Sequence, residues 1–376
     1  MNFSISSTTF CNRLQTLNKV ISSKNSIAIL DSILFELQDN ILKMTASDGD
    51  ITLVSTLEVN SAEGSGKFAL NASQIINGLK EISDQPIRLS IDDNDFKVVI
   101  KYQNGKCEFV GQSGEEYPTP KGVEGEAKTV SIPTSVLIGG IGKSIFATAD
   151  DELRPVMNGI YFDILPDSIT FVASDGHKLV RNRNFSVTSP DQIPNSFILP
   201  KKPAKTLKDI LVKDSDDAIV TFDENCAEIK LDNYILTCRL IEGRYPNYNS
   251  VIPKDNPYKV RIDRQTLISA LRRVLVFANT STNLIKIKIS AGTVVISSQD
   301  VDYSTRAEES IACEYDGNTM NIGFKGTFLI DILSSISSNE VVLELADPSR
   351  AGVIVPAEQE ENEDLLMLLM PMMLND

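Results

Sequence analysis

A threefold internal repeat constrains the fold of this 376-residue chain more than any other feature of its sequence. The run Ala-Ser-Asp-Gly at residues 46–49 recurs at 173–176, 127 residues later, and a degenerate copy follows at 298–300. Similar segments at a regular spacing are typical of repeated structural units. The sequence therefore predicts three similar domains, with boundaries at 1–125, 126–254 and 255–376.

Each copy opens with alternating apolar residues that give way to helical spacing. In the first copy, Phe3 and Ile5 alternate, and Phe10, Leu14 and Leu17 then follow three or four residues apart, as in a strand that leads into an amphipathic helix. A second strand–helix pair lies in the middle of each copy, and hairpin strands close it. The six predicted helices span 8–21, 71–82, 134–147, 201–213, 264–277 and 325–336. Two helices cannot cover both faces of so much sheet, so we predict an α+β fold with both helices of each domain on one face of antiparallel sheets.

Basic residues are concentrated in the predicted helices, although the whole chain is acidic. Its 36 Lys and Arg residues against 51 Asp and Glu give a formal charge of −15, which excludes a uniformly basic coat. The helical windows hold 13 basic and 3 acidic residues among 79. Good helix propensity does not explain this bias, because glutamate forms helices about as well and is nearly absent there. The pattern predicts a basic helical face that contacts the phosphates of a polyanion without reading its sequence.

Cysteine and histidine usage argues against disulfide and metal sites. The five cysteines are odd in number, no two form a CxxC pair, and the chain has a single histidine. We therefore predict no metal, no cofactor and a reducing cytoplasmic setting. The amino terminus lacks the basic and apolar segments of a signal peptide. The longest apolar run, 365–374, is ten residues long, whereas a bilayer-spanning helix takes about 20.

Five motifs, found in order along the chain, resemble those of one known family. They are ASDGHKL at 173–179, LIEGRYPNY at 240–248, VIPK at 251–254, MNIGF at 320–324 and MPMML at 370–374. Together they resemble the bacterial sliding clamp, the beta subunit of DNA polymerase III, over the whole chain. The resemblance implies the DNA-clamp fold, with three domains forming half of a closed ring. It also implies a replication processivity factor that performs no chemistry itself.

The resemblance further implies a head-to-tail homodimer, in which copy 1 of one chain meets copy 3 of the other. The repeats support this closure, because three copies joined in a row leave one open sheet edge on copy 1 and another on copy 3. The implied partners are double-stranded DNA, a second copy of the chain, the replicative DNA polymerase, the clamp loader and other clamp-binding peptides, with no membrane.

An apolar pocket between copies 2 and 3 is the site at which the family binds partner peptides. Carried over residue by residue, the resemblance places in it Arg154, Met157, Ser174, Gly176, His177, Lys178, Leu179, Pro246, Val251, Met370, Pro371, Met372 and Leu374. Flexible methionine and leucine side chains suit a pocket that accepts several ligands. Ser250 and Met373 stand where the family often has arginine, so a more apolar groove is expected here.

Two further sets of residues are predicted for DNA and for the dimer interface. The DNA-facing set comprises Arg13, Lys24, Lys143, Lys201, Lys202, Lys205, Arg264, Arg272 and Arg273, of which Arg272 and Arg273 cannot both face the hole. The interface set comprises Val276 and Phe277 as an apolar contact, and Lys101 and Lys106 opposite Glu308 and Glu309.

Two other functions remain open from the sequence. The run GGIGKS at 139–144 imitates the end of a phosphate-binding loop and would fit a phosphate-transferring enzyme, but Leu137 stands where that motif needs glycine. A sheet-rich scaffold without nucleic acid is the other alternative, and the charge segregation argues against it. His177 has no recognisable nucleophile beside it in the sequence, so a structural role in the pocket wall is expected rather than catalysis.

Overall fold

The computed structural model describes residues 1–25, 27–118, 122–189, 192–211 and 217–374, and it confirms the α+β class. The described residues form six α-helices, each inside or within one residue of its predicted window. They are α1 (Ser7–Asn18), α2 (Ala72–Lys80), α3 (Thr134–Ser144), α4 (Lys201–Ile210), α5 (Arg264–Leu275) and α6 (Gly326–Ser335). The end of the fourth predicted window, 212–213, lies outside the described residues.

Three helices begin directly after a strand, at a residue whose side chain caps them. Ser6 accepts a hydrogen bond from the amide of Thr9 at the start of α1, and Asp263 accepts one from Thr266 at the start of α5. Asn71 does the same for α2. Such caps satisfy amide groups that the first helical turn leaves unbonded. The sequence thus specifies where strand geometry gives way to helix.

The strands follow the repeat. Copy 1 contains β1 (Asn2–Ser6), β2 (Ser32–Gln38), β3 (Ile41–Ser47), β4 (Ile51–Glu58), β5 (Ser61–Glu63), β6 (Gly66–Asn71), β7 (Pro86–Ile91), β8 (Lys97–Tyr102), β9 (Gly105–Val110) and β10 (Gln112–Ser113). Copy 2 contains β11 (Lys128–Ile132), β12 (Gly159–Leu165), β13 (Ser168–Ser174), β14 (Lys178–Asn184), β15 (Asn195–Pro200), β16 (Ala218–Phe222), β17 (Cys226–Lys230) and β18 (Tyr234–Arg239). Copy 3 contains β19 (Tyr258–Asp263), β20 (Leu284–Ser290), β21 (Thr293–Asp300), β22 (Thr305–Ala312), β23 (Met320–Lys325), β24 (Glu340–Leu345), β25 (Gly352–Pro356) and β26 (Glu363–Leu369).

The chain forms two compact units, which cut through the second copy of the repeat. The first unit comprises residues 1–137 and 202–240, and the second comprises 138–201 and 241–376. The first unit holds a five-stranded sheet, β5-β1-β7-β8-β9, and a nine-stranded sheet, β10-β6-β2-β3-β4-β18-β17-β16-β11. The second holds an eight-stranded sheet, β15-β12-β13-β14-β26-β25-β24-β19, and a four-stranded sheet, β22-β21-β20-β23.

The units cross the repeat boundaries because two strand pairs join different copies. In the first unit β4 pairs with β18, and in the second β14 pairs with β26, both antiparallel. We call these pairs the closed seams. The strands β9 and β22 end their sheets, and within the described residues no strand covers their outer sides. We call these two sides the open edges.

Each unit has its own apolar core. In the first unit, Phe35 lies between Phe68, stacked at 5.0 Å between ring centroids, and Phe10 at 6.0 Å. In the second, Val180 of copy 2 and Met367 of copy 3 belong to one continuous buried cluster. Burial of this kind across a closed seam is the main favourable term in folding, at about 25 cal/mol per Å² of apolar surface.

Candidate functional site

The observed helices keep the charge bias that their predicted windows show. Within their exact bounds, the six helices carry 10 basic and 2 acidic residues, which leaves 26 basic and 49 acidic residues for the rest of the chain. The rest of the protein is therefore strongly negative while its helices are positive. Such a distribution attracts a polyanion to the helices and repels it elsewhere.

In the first unit, two of the basic helices are tied together by lysines. The ammonium of Lys19, just after α1, contacts Asp209 of α4 at 2.9 Å. Lys202 of α4 donates in the other direction, to the carbonyl oxygen of Val20 at 2.6 Å and to the Asp48 carboxylate at 2.5 Å. These bonds hold the end of α1 beside α4, so that the basic residues in and next to these helices share one region of the unit.

The remaining predicted DNA contacts of this region are accessible. Lys24, Lys201 and Lys205 are exposed. The Arg13 guanidinium is half-buried and lies 4.8 Å from the centroid of the Tyr234 ring, a cation–π geometry that fixes its position without neutralising its charge. These four predicted DNA-binding residues thus carry charges without a carboxylate partner among the contacts of the described residues.

Lys143 has a different role from the predicted one. Its side chain is only 12% exposed, and its ammonium contacts Glu363 at 2.6 Å and Glu360 at 3.3 Å. A hydrogen bond from Ser337, together with the Lys143 charge, holds the pKa of Glu360 below its ordinary value. The lysine therefore anchors the end of α3 to the start of β26 and to the loop before it, and its charge is matched within the unit.

Two arginines of α5 are also engaged inside the second unit. Arg264 donates to the carbonyl oxygen of Ser338 at 2.7 Å, so it stabilises the chain after α6 rather than projecting toward a ligand. Arg273 donates to Glu309 at 2.9 Å and lowers the pKa of that carboxyl. Arg272 is exposed. Of this group, Arg272 is the residue best placed to contact an external anion.

The glycine-rich run at 139–144 lies inside α3, not in a loop. Helical amides bond to carbonyls one turn back and cannot cradle a phosphate. A Cβ atom on Gly140 would lie 2.4 Å from the Phe171 ring, so this glycine allows the helix to approach the sheet. The structure thus explains the run by packing, and the hypothesis of a phosphate-transferring enzyme loses its site.

The predicted pocket is built around the tight turn between β13 and β14, in the second unit. Asp175 accepts hydrogen bonds from the amides of His177 at 2.8 Å and Lys178 at 2.9 Å, and Ser174 donates to the Lys178 carbonyl at 2.9 Å. Gly176 adopts φ +91°, which favours glycine. Burial acts to raise the pKa of Asp175, but the bonds from Lys178 and the amides hold it below its ordinary value.

Lys178 connects this turn to α6. Its side chain is 6% exposed, with the ammonium 2.5 Å from the Asp175 carboxylate and 3.8 Å from the centroid of the Phe328 ring. Lys325 lies 4.4 Å from the same ring, and the His177 ring lies 6.4 Å from it, centroid to centroid. Sequence reasoning missed Phe328 because nothing marks an aromatic residue on a helix as the partner of a turn 150 residues earlier.

The carboxyl-terminal tail is held against the turn and against the edge of another sheet. The amide of Met370 donates to the His177 carbonyl at 2.8 Å, and the amide of Met372 donates to the Gly323 carbonyl at 2.8 Å. Pro371 lies between these two bonds. A Cβ atom on Gly323 would lie 2.6 Å from the Met372 carbonyl oxygen, so glycine permits this close approach. The tail therefore joins the β13–β14 turn to β23.

Buried apolar residues form the floor of the pocket region. Leu179 and Tyr245 share a cluster with Leu368, and Met157 is also buried. Arg154 donates to Asp151 at 2.8 Å and to the carbonyl of Asp175 at 3.4 Å, which places it beside the turn.

Several of the residues predicted for the rim of this pocket are apolar and exposed. Val251, Met370 and Met373 are 57%, 42% and 83% exposed. Pro246 is also exposed, and Leu374 lies beside Gly323. Ser250 is exposed and donates to the Asn247 carbonyl.

The predicted interface residues are at the surface of their units. Val276 and Phe277, which follow α5, are 78% and 41% exposed. Lys106 lies on the open edge strand β9, but Lys101 lies on β8, one strand inside it. The prediction for Lys101 is therefore revised, because a residue of β8 does not face a strand added beyond β9.

Copy 3 supplies the other half of the predicted interface. Glu308 lies on the open edge strand β22 and pairs with Arg306 at 3.1 Å, whereas Glu309 is paired with Arg273. Glu309 therefore already has a cation within its own chain, and Glu308 remains the better acidic candidate for a contact with a second chain.

Comparison with known proteins places this architecture in the class of DNA sliding clamps. Models of the DNA polymerase III beta subunit match the N-terminal domain at residues 1–121, the central domain at 131–247 and the C-terminal domain at 249–373. The chain is 25% identical to the beta sliding clamp of Haemophilus influenzae, covering 98% of this chain and 99% of that protein, and 24% identical to that of Bacillus subtilis, covering 99% of each.

Solved structures of sliding clamps have the same fold as this chain. The sliding clamp of Pseudomonas aeruginosa bound to griselimycin superposes with a TM-score of 0.92 at 24% identity, and that of Bartonella birtlesii bound to griselimycin with 0.90 at 25% identity, each covering all of both chains. The chain belongs to the DNA polymerase III beta subunit family. Its role is that of a processivity clamp, a subunit of the polymerase holoenzyme that is not itself an enzyme.

The part of the chain that the structure describes contains neither a membrane-spanning helix nor a metal-binding cluster. None of its helices is long and apolar enough to cross a membrane. No group of three or more His, Cys, Asp or Glu residues within it is placed to hold a metal ion.

Proposed function

We propose that two copies of this chain close head to tail into a ring around duplex DNA in the cytoplasm, and that the ring slides on DNA while it tethers the replicative polymerase. The observation that carries the proposal is the charge distribution, with 10 basic and 2 acidic residues in the helices against 26 and 49 elsewhere. Family membership supports the role of a clamp, and the charge distribution supports DNA lying against the helices.

The DNA contacts in this proposal are weak and sequence-independent. Arg13, Lys24, Lys201, Lys202 and Lys205 of the α1–α4 region would contact phosphates, with Arg272 in the second unit. Phosphate contacts position a duplex without reading its bases. A ring does not need tight contacts, because an encircled duplex leaves only at an end. Weak, exchangeable contacts therefore permit sliding.

The pocket around the β13–β14 turn would bind short apolar peptides of the polymerase, the clamp loader and other partners. Its buried floor of Leu179, Leu368 and Tyr245 and its exposed rim of Val251 and Met370 offer flexible apolar contacts. A partner held there gains a high effective concentration at the primer end.

Retention on closed DNA tests encirclement. The clamp is assembled on nicked circular DNA with a loader, and its release is followed before and after linearisation. A ring stays on the circle and leaves the linear form quickly. Equal release from the two forms would contradict encirclement.

A matched pair of variants tests the direction of the charges. Lys205→Ala removes a cation from α4, and Lys230→Ala removes an exposed cation from a sheet strand. We expect Lys205→Ala to weaken DNA binding and to lower the slope of log affinity against log salt by about 0.9. Lys230→Ala leaves both unchanged. The same loss for both variants would contradict a DNA-facing role of α4.

A further inference from the structure

The two open edges belong to the strands that form the closed seams in the other copies. The closed seams join the strand after the repeated Ala-Ser-Asp turn, β4 or β14, to the last strand of the next copy, β18 or β26. In the threefold repeat, β22 is the equivalent of β4 and β14, and β9 is the equivalent of β18 and β26. Both strands of the missing third seam are therefore present in one chain, β9 in copy 1 and β22 in copy 3.

The internal pairings identify which residues are equivalent. In each copy, one residue of the last strand faces an isoleucine across its hairpin: Cys107 faces Ile100, Leu236 faces Ile229, and Met367 faces Ile354. In each copy, the first residue of the repeated motif faces one residue of the following strand: Ala46 faces Leu53, Ala173 faces Val180, and Ser298 faces Ala307.

The closed seams then fix the register of the third. Leu236 lies opposite Leu53, and Met367 lies opposite Val180. In both seams, therefore, the residue equivalent to Cys107 lies opposite the residue equivalent to Ala307. We infer that β22 of one chain pairs antiparallel with β9 of a second copy, with Ala307 directly opposite Cys107 of the partner subunit. This inference rests on the proposed head-to-tail dimer and adds the residue-by-residue alignment of its interface.

The register follows from the backbone pairings alone, and it also brings opposite charges together. It places Glu308 opposite Lys106 of the partner subunit and Arg306 opposite Glu108 of the partner subunit. A shift by two residues in one direction would set Lys106 against Arg306, and in the other direction Glu108 against Glu308. A shift by one residue would turn the charged side chains to the opposite face. Only the derived register forms both attractive pairs.

In the single chain, these four side chains pair along their own strands, and Glu108 also contacts Lys97 of the neighbouring strand β8 at 2.8 Å. Lys106 contacts Glu108 at 2.7 Å, and Arg306 contacts Glu308 at 3.1 Å. All four are exposed, with side-chain exposures between 40% and 70%. Bringing the edges together would complete a square of alternating charges. Opposite charges directly across two strands stabilise pairing, and like charges weaken it.

The inward-facing position agrees with the same register. Cys107 and Ala307 are both half-buried and lie on the faces of their sheets that carry the cores. In the closed seams, the equivalent pairs are apolar and fully buried. The third seam would therefore continue the apolar inner side of the other two, with a charged outer side.

A charge exchange tests the register. Each single variant, Lys106→Glu or Glu308→Lys, should weaken the dimer about tenfold or more in sedimentation equilibrium. Each places like charges opposite one another at both interfaces between the two chains of the ring. The variant with both substitutions should recover most of the wild-type affinity. Lys230→Glu, at the position of copy 2 equivalent to Lys101, is the control and should have no effect. If the double variant loses as much dimer affinity as the two single variants lose together, the register is overturned.

Disulfide cross-linking gives a second, independent measurement. Ala307→Cys should form a covalent dimer with Cys107 of the partner subunit on mild oxidation, because directly opposite Cβ atoms lie about 4.5–5.5 Å apart. Thr305→Cys, at about 7–8 Å on the diagonal, should cross-link much less. Adding Cys107→Ser should abolish the product. Preferential cross-linking of Thr305→Cys would overturn the register. A monomeric wild-type chain would instead contradict the proposed ring itself.

Discussion

Equivalent positions carry different side chains in the closed seams and at the open edges. At the outward position that directly follows Leu236 and Met367, the seams pair uncharged, buried residues: Thr237 with Thr52, and Leu368 with Leu179. At the open edges, the corresponding residues are Glu108 and Arg306, both exposed. A seam that forms once during folding can depend on packing. An edge that stands open before assembly needs charge, because uncovered apolar strands pair with any other strand.

A lysine at the equivalent inward position of a closed seam and of an open edge should have very different effects on stability. Met367→Lys buries a charge in a fully buried position and should lower the free energy of unfolding by about 3–5 kcal/mol. Cys107→Lys, on the open edge, should lower it by under about 1 kcal/mol while weakening the dimer. Urea unfolding checks the first quantity, and sedimentation checks the second. Equal losses in the free energy of unfolding would show that the open edge is packed as tightly as the closed seam.

A charge next to the open edge should separate assembly from folding. Phe277→Asp replaces an exposed aromatic residue after α5, and we expect it to weaken the dimer by about 2–3 kcal/mol, close to a hundredfold. Thermal unfolding of the chain should change little. Phe185→Asp, another exposed phenylalanine in the same unit, is the matched control. Dimers of unchanged affinity would place the interface elsewhere.

Removing the tail should leave every seam intact. Deletion of residues 370–376 removes the bonds to His177 and Gly323 but no residue of β26. Peptide affinity should fall at least tenfold, about 1.4 kcal/mol, because part of the rim is lost. Fluorescence anisotropy of a labelled clamp-binding peptide measures this, and sedimentation should still report dimers. Unchanged peptide affinity would show that the pocket lies elsewhere.

The smallest expected effect is a change in thermal stability at low pH that depends on Glu108. Hydrogen bonds from Lys106 and then Lys97 lower the pKa of Glu108 to about 2, from an ordinary value near 4.5. A lowered pKa means that the ionised group stabilises the fold above pH 4.5 and that this contribution is lost as the pH falls toward 2. The thermal midpoint of Glu108→Gln should therefore approach that of the wild type across this window. A constant difference would show that Glu108 ionises normally.

The sequence predicts the local elements well, and it predicts that neighbouring copies join, but it does not predict which strands join them. The six helices and the hairpins follow from alternation and capping, which are local. The closed seams do not, since they pair strands of different copies that no short-range pattern links. For the same reason, the charge bias identified the basic helices but not the individual roles of their residues. Lys143 meets Glu363, 220 residues away, and only the folded chain shows that its charge is already matched.

One contact of the pocket offers an optical probe. The ring of Phe328 contacts the ammonium groups of both Lys178 and Lys325, at the junction of the β13–β14 turn and α6. The sequence contains no tryptophan. Phe328→Trp would place a single indole where two positive charges shift and quench its emission. Fluorescence from that one residue would then respond when a docked peptide moves either lysine, and it would report occupancy of the clamp in solution without any attached dye.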